Sequence, residues 1–202
     1  MSSLRKQLLI ATGNAGKLSE YRRLLADSSI EVIGLHEFEN IAEVEESGAS
    51  FDENARLKAI GYARQTGKFA LADDSGLEVA SLDGRPGAHS ARYLGEVTFE
   101  YRMDNIISEL SSNNLARDAR FVCSIAIADH DGNICEQVEG ICIGEISKAR
   151  RGSNGFGYDP IFIPNGCDQT FGELCDDVKN EISHRSIALN KIIPKIRGIL
   201  AL

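Results

Sequence analysis

Four polar segments carry residue types suited to phosphate and metal chemistry. The first is Thr12-Gly-Asn-Ala-Gly-Lys17, directly after an apolar run. A glycine-bearing turn between a strand and a helix offers backbone amides and the positive end of a helix dipole to an anion, and Lys17 adds a point charge. It is not a P-loop: two residues rather than four separate Gly13 from Gly16, and Leu18 follows the lysine where that motif needs Ser or Thr. An ordinary tight turn fits the same residues.

The second segment set is acidic: Glu43, Glu45 and Glu46 in Ala42-Glu-Val-Glu-Glu-Ser47, then Asp73 and Asp74 in Asp73-Asp-Ser-Gly76. Carboxylates are the hard oxygen ligands that Mg2+ prefers, and one of them can instead orient or deprotonate an attacking water. A glutamate run is equally a solvated face. Two adjacent aspartates after the apolar stretch Phe69 to Ala72 are different, because their repulsion needs compensation.

The third segment, Gly152-Ser-Asn-Gly-Phe-Gly-Tyr-Asp-Pro160, lets backbone approach a ligand closely, with Phe156 or Tyr158 available to stack on a planar ring or to tuck into the core. The fourth, Lys179-Asn-Glu-Ile-Ser-His-Arg185, brings cations and N–H donors together in a stretch that makes poor core material.

The elements that must position these residues follow from periodicity. Gln7 to Thr12 reads as a buried strand, Lys17 to Ala26 as an amphipathic helix and Glu31 to Gly34 as a second strand. Ser50-Phe-Asp-Glu53 has the capping-box pattern of a helix running to Thr66. An apolar strand, Phe69 to Ala72, is expected to break at Asp73 to Gly76 and resume over Leu77 to Ala80. A helix is expected over Phe99 to Leu110. Arg120 to Ala128 and Ile134 to Ile146 read as strands flanking the hairpin signal Asp129-His-Asp-Gly-Asn133, and Ile161 to Ile163 as a short strand. Ser186 to Leu202 has helical spacing, with Pro194 expected to kink or restart it. Strands alternating with helices, then hairpins, give a mixed α/β sheet.

Composition bounds the reading. The 202 residues, 43% of them hydrophobic, suit one globular domain of one or two lobes that buries about 70% of its unfolded surface without disulfides or a structural metal. The 22 basic against 30 acidic side chains give a net charge of −8, which argues against a nucleic-acid surface but not against a small phosphorylated ligand. Five cysteines without a C-x-x-C pair read as reduced thiols, with Cys123 and Cys142 in apolar runs. The apolar stretch after Arg5 and Lys6 is too short for a signal peptide or a membrane span, so a cytoplasmic protein with no membrane partner is expected.

Together the four segments resemble the inosine triphosphatase family of purine nucleoside triphosphate pyrophosphatases, in its bacterial-type branch. The likeness rests on Thr12-Gly-Asn-Ala-Gly-Lys17, Phe51-Asp-Glu-Asn-Ala55 with Lys58 and Ala59, Ala72-Asp-Asp-Ser-Gly-Leu77, Pro86-Gly87 with Ser90-Ala-Arg-Tyr93, Gly155-Phe-Gly-Tyr-Asp-Pro160 and Ile182-Ser-His-Arg185, in that order. The resemblance implies a single domain over residues 1–202, with an elongated mixed sheet, flanking helices and two lobes around a substrate cleft, usually as a homodimer. It also implies Mg2+-dependent hydrolysis of ITP, dITP, XTP and dXTP to the monophosphate and pyrophosphate.

By the same resemblance Thr12, Gly13, Asn14, Ala15, Gly16 and Lys17 hold the triphosphate. Asp74 is proton acceptor and metal ligand, and Ser75 contacts substrate. Phe156, Gly157, Tyr158 and Asp159 line the base and sugar pocket, Lys179 contacts substrate, and His184 with Arg185 read the base. The second metal carboxylate falls on Glu45 or its neighbour Glu46, with Glu45 taken as the expectation. The alternatives are a related pyrophosphatase with another base preference and a non-catalytic nucleotide-binding module.

Overall fold

A computed structural model describes residues 6–26 and 30–200; Arg5 and the last two residues of the expected C-terminal helix lie outside them. Six strands form one mixed sheet in the order β2-β1-β3-β4-β5-β6, where β1 is Lys6–Ile10, β2 Ile30–Gly34, β3 Ala70–Val79, β4 Asp118–Ala128, β5 Ile134–Ile146 and β6 Phe162–Pro164. The helices are α1 Ala15–Leu24, α2 Phe51–Thr66, α3 Phe99–Ser112, α4 Asp176–Ile182 and α5 His184–Ile199. The expected mixed α/β class with flanking helices is borne out. β1 is parallel to β2, with Lys6 opposite Ile30 and Ile10 opposite Gly34, and parallel to β3 on its other side. Each parallel step needs a crossover, supplied by α1 and α2. β5 and β6 are antiparallel, with Gly144 opposite Pro164.

The chain divides into two compact units. Unit 1 comprises residues 1–74, 123–140 and 188–202, and unit 2 comprises residues 75–122 and 141–187, so β3, β4, β5 and α5 each contribute to both. Unit 1 has a core on each face of its sheet. On one, Leu8, Ile10, Leu71, Cys123, Ile125 and Ile127 pack with α1 and α5. On the other, Leu9, Ala70, Ala72, Ala126 and Ala128 pack against Ala55, Ala59 and Ala63 of α2. Alanine at i, i+4 and i+8 of the helix facing alanines of two strands lets α2 lie close to the sheet, within reach of short polar side chains. Unit 2 has one core, in which Leu77, Val79, Met103, Ile106 and Phe121 pack with Ile146, Phe162 and Phe171.

Two expectations need correction. β3 does not break at Asp73 to Gly76; it runs unbroken through them. The C-terminal helix begins at His184 and continues past Pro194 as one element. Leu189, Ile192, Ile196 and Leu200 are buried on one side, while Asn190 and Pro194 are exposed. The carbonyl that Pro194 leaves without its helical donor therefore faces water, and apolar packing holds both halves of the helix.

All five cysteines are free; Cys123 and Cys142 are buried as expected, whereas Cys135 and Cys175 are exposed. Burial pushes the Cys142 thiol up to about 11. Among the described residues no helix is long and apolar enough to cross a membrane.

Candidate functional site

The period of two in β3 resolves the aspartate pair. Leu71 and Ala72 already lie in opposite cores of unit 1, so Asp73 and Asp74 point to opposite faces of the sheet. Their charges are thus divided between two sets of partners. Asp73 Oδ2 pairs with Lys17 Nζ at 2.9 Å, with its side chain only 1% exposed, and accepts a weak bond from the Cys123 thiol at 3.9 Å. Asp74 Oδ1 pairs with Lys58 Nζ at 3.3 Å, and its Oδ2 accepts from the Asn54 side-chain amide at 3.1 Å.

Lys58 also pairs with Glu46 Oε1 at 2.9 Å. Burial works against its ammonium, yet Asp74, Asp73 and Glu46 outweigh burial and hold Lys58 above the ordinary lysine value. Asp74 responds differently. Burial pushes its carboxyl up and the Glu46 charge adds to the push, while Lys58, Lys17 and Asn54 pull back only part of it. A carboxylate raised in this way is a stronger base than an ordinary aspartate.

The segment that carries Glu46 is laid along α2. Ala42 bonds to Gln65 through both amide and carbonyl, at 2.8 and 3.1 Å. The Val44 amide donates to the Tyr62 hydroxyl at 3.4 Å, Glu46 meets Lys58, and the Gly48 amide donates to Asn54 Oδ1 at 2.8 Å. Residues 42, 44, 46 and 48 thus meet residues 65, 62, 58 and 54, which form one stripe of α2. Alternation turns Glu45 outward: it is exposed and makes no ion pair among the described residues. The sequence expectation was Glu45; the structure brings Glu46 to Lys58 and Asp74.

α2 begins where expected. Ser50 Oγ accepts from the Glu53 amide at 3.2 Å, and the Glu53 carboxylate reaches one residue further back than the capping box expects, to the Ala49 amide at 2.7 Å.

The turn Thr12 to Lys17 opens α1, but part of its amide supply is already used. Asn14 caps the helix by accepting from the Gly16 and Lys17 amides at 2.9 and 3.1 Å, and Thr12 Oγ1 accepts from the Asn14 amide at 3.2 Å. Among the described residues the Gly13 and Ala15 amides donate to no partner, and a Cβ added at Gly13 would meet nothing within 4 Å.

Unit 2 gathers the other expected residues. Asp159 Oδ2 accepts from Lys179 Nζ and from the Phe156 amide, both at 2.7 Å, and the ion pair is 4–5% exposed. Gly155 sits at φ 73°, and a Cβ there would collide with the Asp159 carboxylate, so only glycine closes this loop. The cations of Lys179 and Arg185 lie 5.1 and 5.5 Å from the centre of the Phe156 ring. Arg185 donates to Ser75 Oγ at 3.0 Å, and the His184 ring stacks on Phe121 at 4.7 Å and 11°. Phe156 and Gly157 are half-buried. Tyr158 is buried, its hydroxyl donating to the Ser90 carbonyl at 2.9 Å and its ring edge-on to Phe99.

Three participants carried no assigned role in the sequence expectations. Asn54 and Gln65 share a polar stripe with Lys58 on a helix whose neighbouring stripe is alanine, a legible signal at spacings of four and seven. Phe121 gives no signal of its own, because an aromatic in an apolar strand reads as core.

Together these features define a class: an α/β protein with a buried carboxylate–ammonium centre on its central strand and a separate cation–aromatic cluster in unit 2. Residues 8–195 match the Ham1 family, and the chain belongs to it. It is 45% identical over 196 residues to the dITP/XTP pyrophosphatase of Bacillus anthracis, covering 95% of this chain and 96% of that one. It is 47% identical to the enzyme of the same name from a Nostoc species, with 97% of each covered. The solved HAM1 protein from Coxiella burnetii superposes with a TM-score of 0.87 at 38% identity, covering 96% of this chain and 99% of that one. The resemblance drawn from the six motifs is thereby borne out.

Proposed function

We propose that the protein hydrolyses ITP, dITP, XTP and dXTP to the nucleoside monophosphate and pyrophosphate, removing these purine nucleotides from the cytoplasmic pool before they enter DNA or RNA. What carries this reading is the Asp74–Lys58–Glu46 set, with Asp74 and Lys58 buried and Glu46 half-buried, in a chain that matches dITP/XTP pyrophosphatases over nearly its whole length.

The cofactor this reading assigns is Mg2+, held by Asp74 with Glu46. No group of three or more His, Cys, Asp or Glu side chains placed to hold a metal occurs among the described residues. Two hard carboxylates with few other protein ligands suit an ion that keeps waters and substrate phosphates in its shell. When bound, Mg2+ supplies polarisation of phosphoryl oxygens and a more acidic water.

The chain's own groups do the rest. The Gly13 and Ala15 amides and Lys17 receive the triphosphate, and Asp74 accepts the proton of the water that attacks the α-phosphorus. Lys17 and Lys58 neutralise charge on the transferring group. In unit 2 Phe156 offers a ring face for the base, Ser75 and Gly157 to Asp159 border the sugar, and Lys179 adds a cation. His184 and Arg185 donate to the six-oxo group of hypoxanthine or xanthine. Adenine presents an amino group there, leaving buried donors unpaired at a cost of about 1–3 kcal/mol each. The active form we propose is a homodimer.

The test is pyrophosphate release from dITP, XTP and ATP with Mg2+, in wild type and Asp74→Asn. Turnover of dITP and XTP well above ATP, lost in the variant, is expected. Equal turnover of ATP, or an undiminished variant, sinks the assignment.

A further inference from the structure

Asn54 is fully buried, yet both ends of its side-chain amide are used on different elements. Its nitrogen donates to Asp74 Oδ2 on β3, and its oxygen accepts from the Gly48 amide at the end of the segment that carries Glu46. A side-chain amide suits this place, because it supplies a donor to the carboxylate and an acceptor to the backbone without adding charge. The approach also requires glycine at position 48, where a Cβ would lie 2.7 Å from Asn54 Oδ1 and 2.7 Å from Glu53 Cβ. At the other end of the segment, Gln65 pins Ala42. With both ends fixed on one stripe of α2, the residues between have no freedom to slip by one. A slip of one residue would exchange Glu46 for Glu45 at Lys58.

We infer that Asn54 is a positioning residue for the two-carboxylate centre: through Gly48 it sets the register that turns Glu46 inward, and through Asp74 Oδ2 it leaves Oδ1 facing Lys58. This rests on the reading that Asp74 and Glu46 hold a divalent cation. Partners that orient a ligating carboxylate typically change metal affinity about 10–100-fold when removed.

The experiment is calorimetric titration of the full-length protein with Mn2+, alongside thermal melting, for wild type, Asp74→Asn, Asn54→Ala and Gly48→Ala. Asn54→Ala and Gly48→Ala should each weaken Mn2+ binding about tenfold or more while still melting cooperatively. Gly48→Ala alters neither carboxylate nor Asn54 itself, so it carries the test should Asn54→Ala fail to fold. Folded variants that bind Mn2+ with wild-type affinity, beside an Asp74→Asn that does not, overturn the inference and leave the cation site standing. No binding by wild type, or binding undiminished in Asp74→Asn, overturns the cation site itself.

Discussion

Unit 1 and unit 2 each bury a lysine against an aspartate, and the two pairs are built differently. Lys58 and Asp74 stand on a helix and a strand, 16 residues apart, with Glu46 as a second acid on the lysine. Lys179 and Asp159 stand on a short helix and a glycine-rich loop, and the carboxylate that holds the lysine also closes the loop by accepting from Phe156. In unit 1 acid exceeds base around Lys58, which suits holding a cation and accepting a proton. In unit 2 one acid is spent on one lysine, and the cations above the Phe156 ring suit the recognition of a flat ligand that the proposed function assigns there. On the proposed function, the difference teaches that the same pair of residue types serves chemistry on rigid elements and recognition on a loop.

The comparison breaks most sharply at Lys58. Lys58→Met leaves Asp74 and Glu46 without the ammonium between them and removes one cation from the transferring group. A loss of about 10²–10³ in kcat is expected, by analogy with removing one preorganised donor from an active site. Single-turnover rates with dITP measure it, and a loss under threefold would show that Lys58 is structural.

Next in size is the choice between adjacent glutamates. Glu46→Gln should raise the Mg2+ concentration for half-maximal rate about 10–100-fold. Glu45→Gln, at an exposed position, should leave it within about twofold, since water and salt screen a solvated charge. The reverse order would mean that the segment along α2 shifts by a residue when substrate binds.

Unit 2 predicts a different kinetic signature. Phe156→Ala should raise KM for dITP about tenfold or more, since base stacking on an aromatic ring is worth about 1–3 kcal/mol, with kcat little changed. A fall in kcat at constant KM would place Phe156 in the chemical step and dissolve the contrast between the units.

Much of the frame was legible. The hairpin at Asp129 lies where its turn residues put it, with Asp129 Oδ1 accepting from the Asp131 and Asn133 amides, and the ends of β5 match the expectation to the residue. β3 was illegible across Asp73 to Gly76 because Asp and Gly disfavour strands in isolation. There the compensation is tertiary: Lys17, Lys58 and Asn54 arrive from two helices on opposite faces. Glu46 could not be told from Glu45 for the same reason, since the choice depends on a register between an irregular segment and a helix stripe. The partnership of Lys179 with Asp159 spans 20 residues and joins a helix to a loop, a pairing that no local pattern encodes. Local propensity therefore located the elements and the polar segments, and long-range charge pairing decided which side chains meet.

The smallest effect tests the charge balance itself. In the protein free of metal and nucleotide, burial and Glu46 raise the Asp74 carboxyl, and Lys58 opposes them. Titration of the Asp74 side-chain carbon by NMR should therefore give a midpoint above the ordinary aspartate value. In Lys58→Met the opposing cation is gone, so the neutral acid is favoured further and the midpoint must move up again, leaving a larger protonated fraction at any given pH. Lys179→Met should leave it unmoved, because the charges that act on Asp74 are those of Lys58, Lys17 and Glu46. A midpoint that falls in Lys58→Met would mean that water enters the emptied volume and resolvates Asp74. The Lys58 side chain would then act on Asp74 more by keeping water out than by its charge.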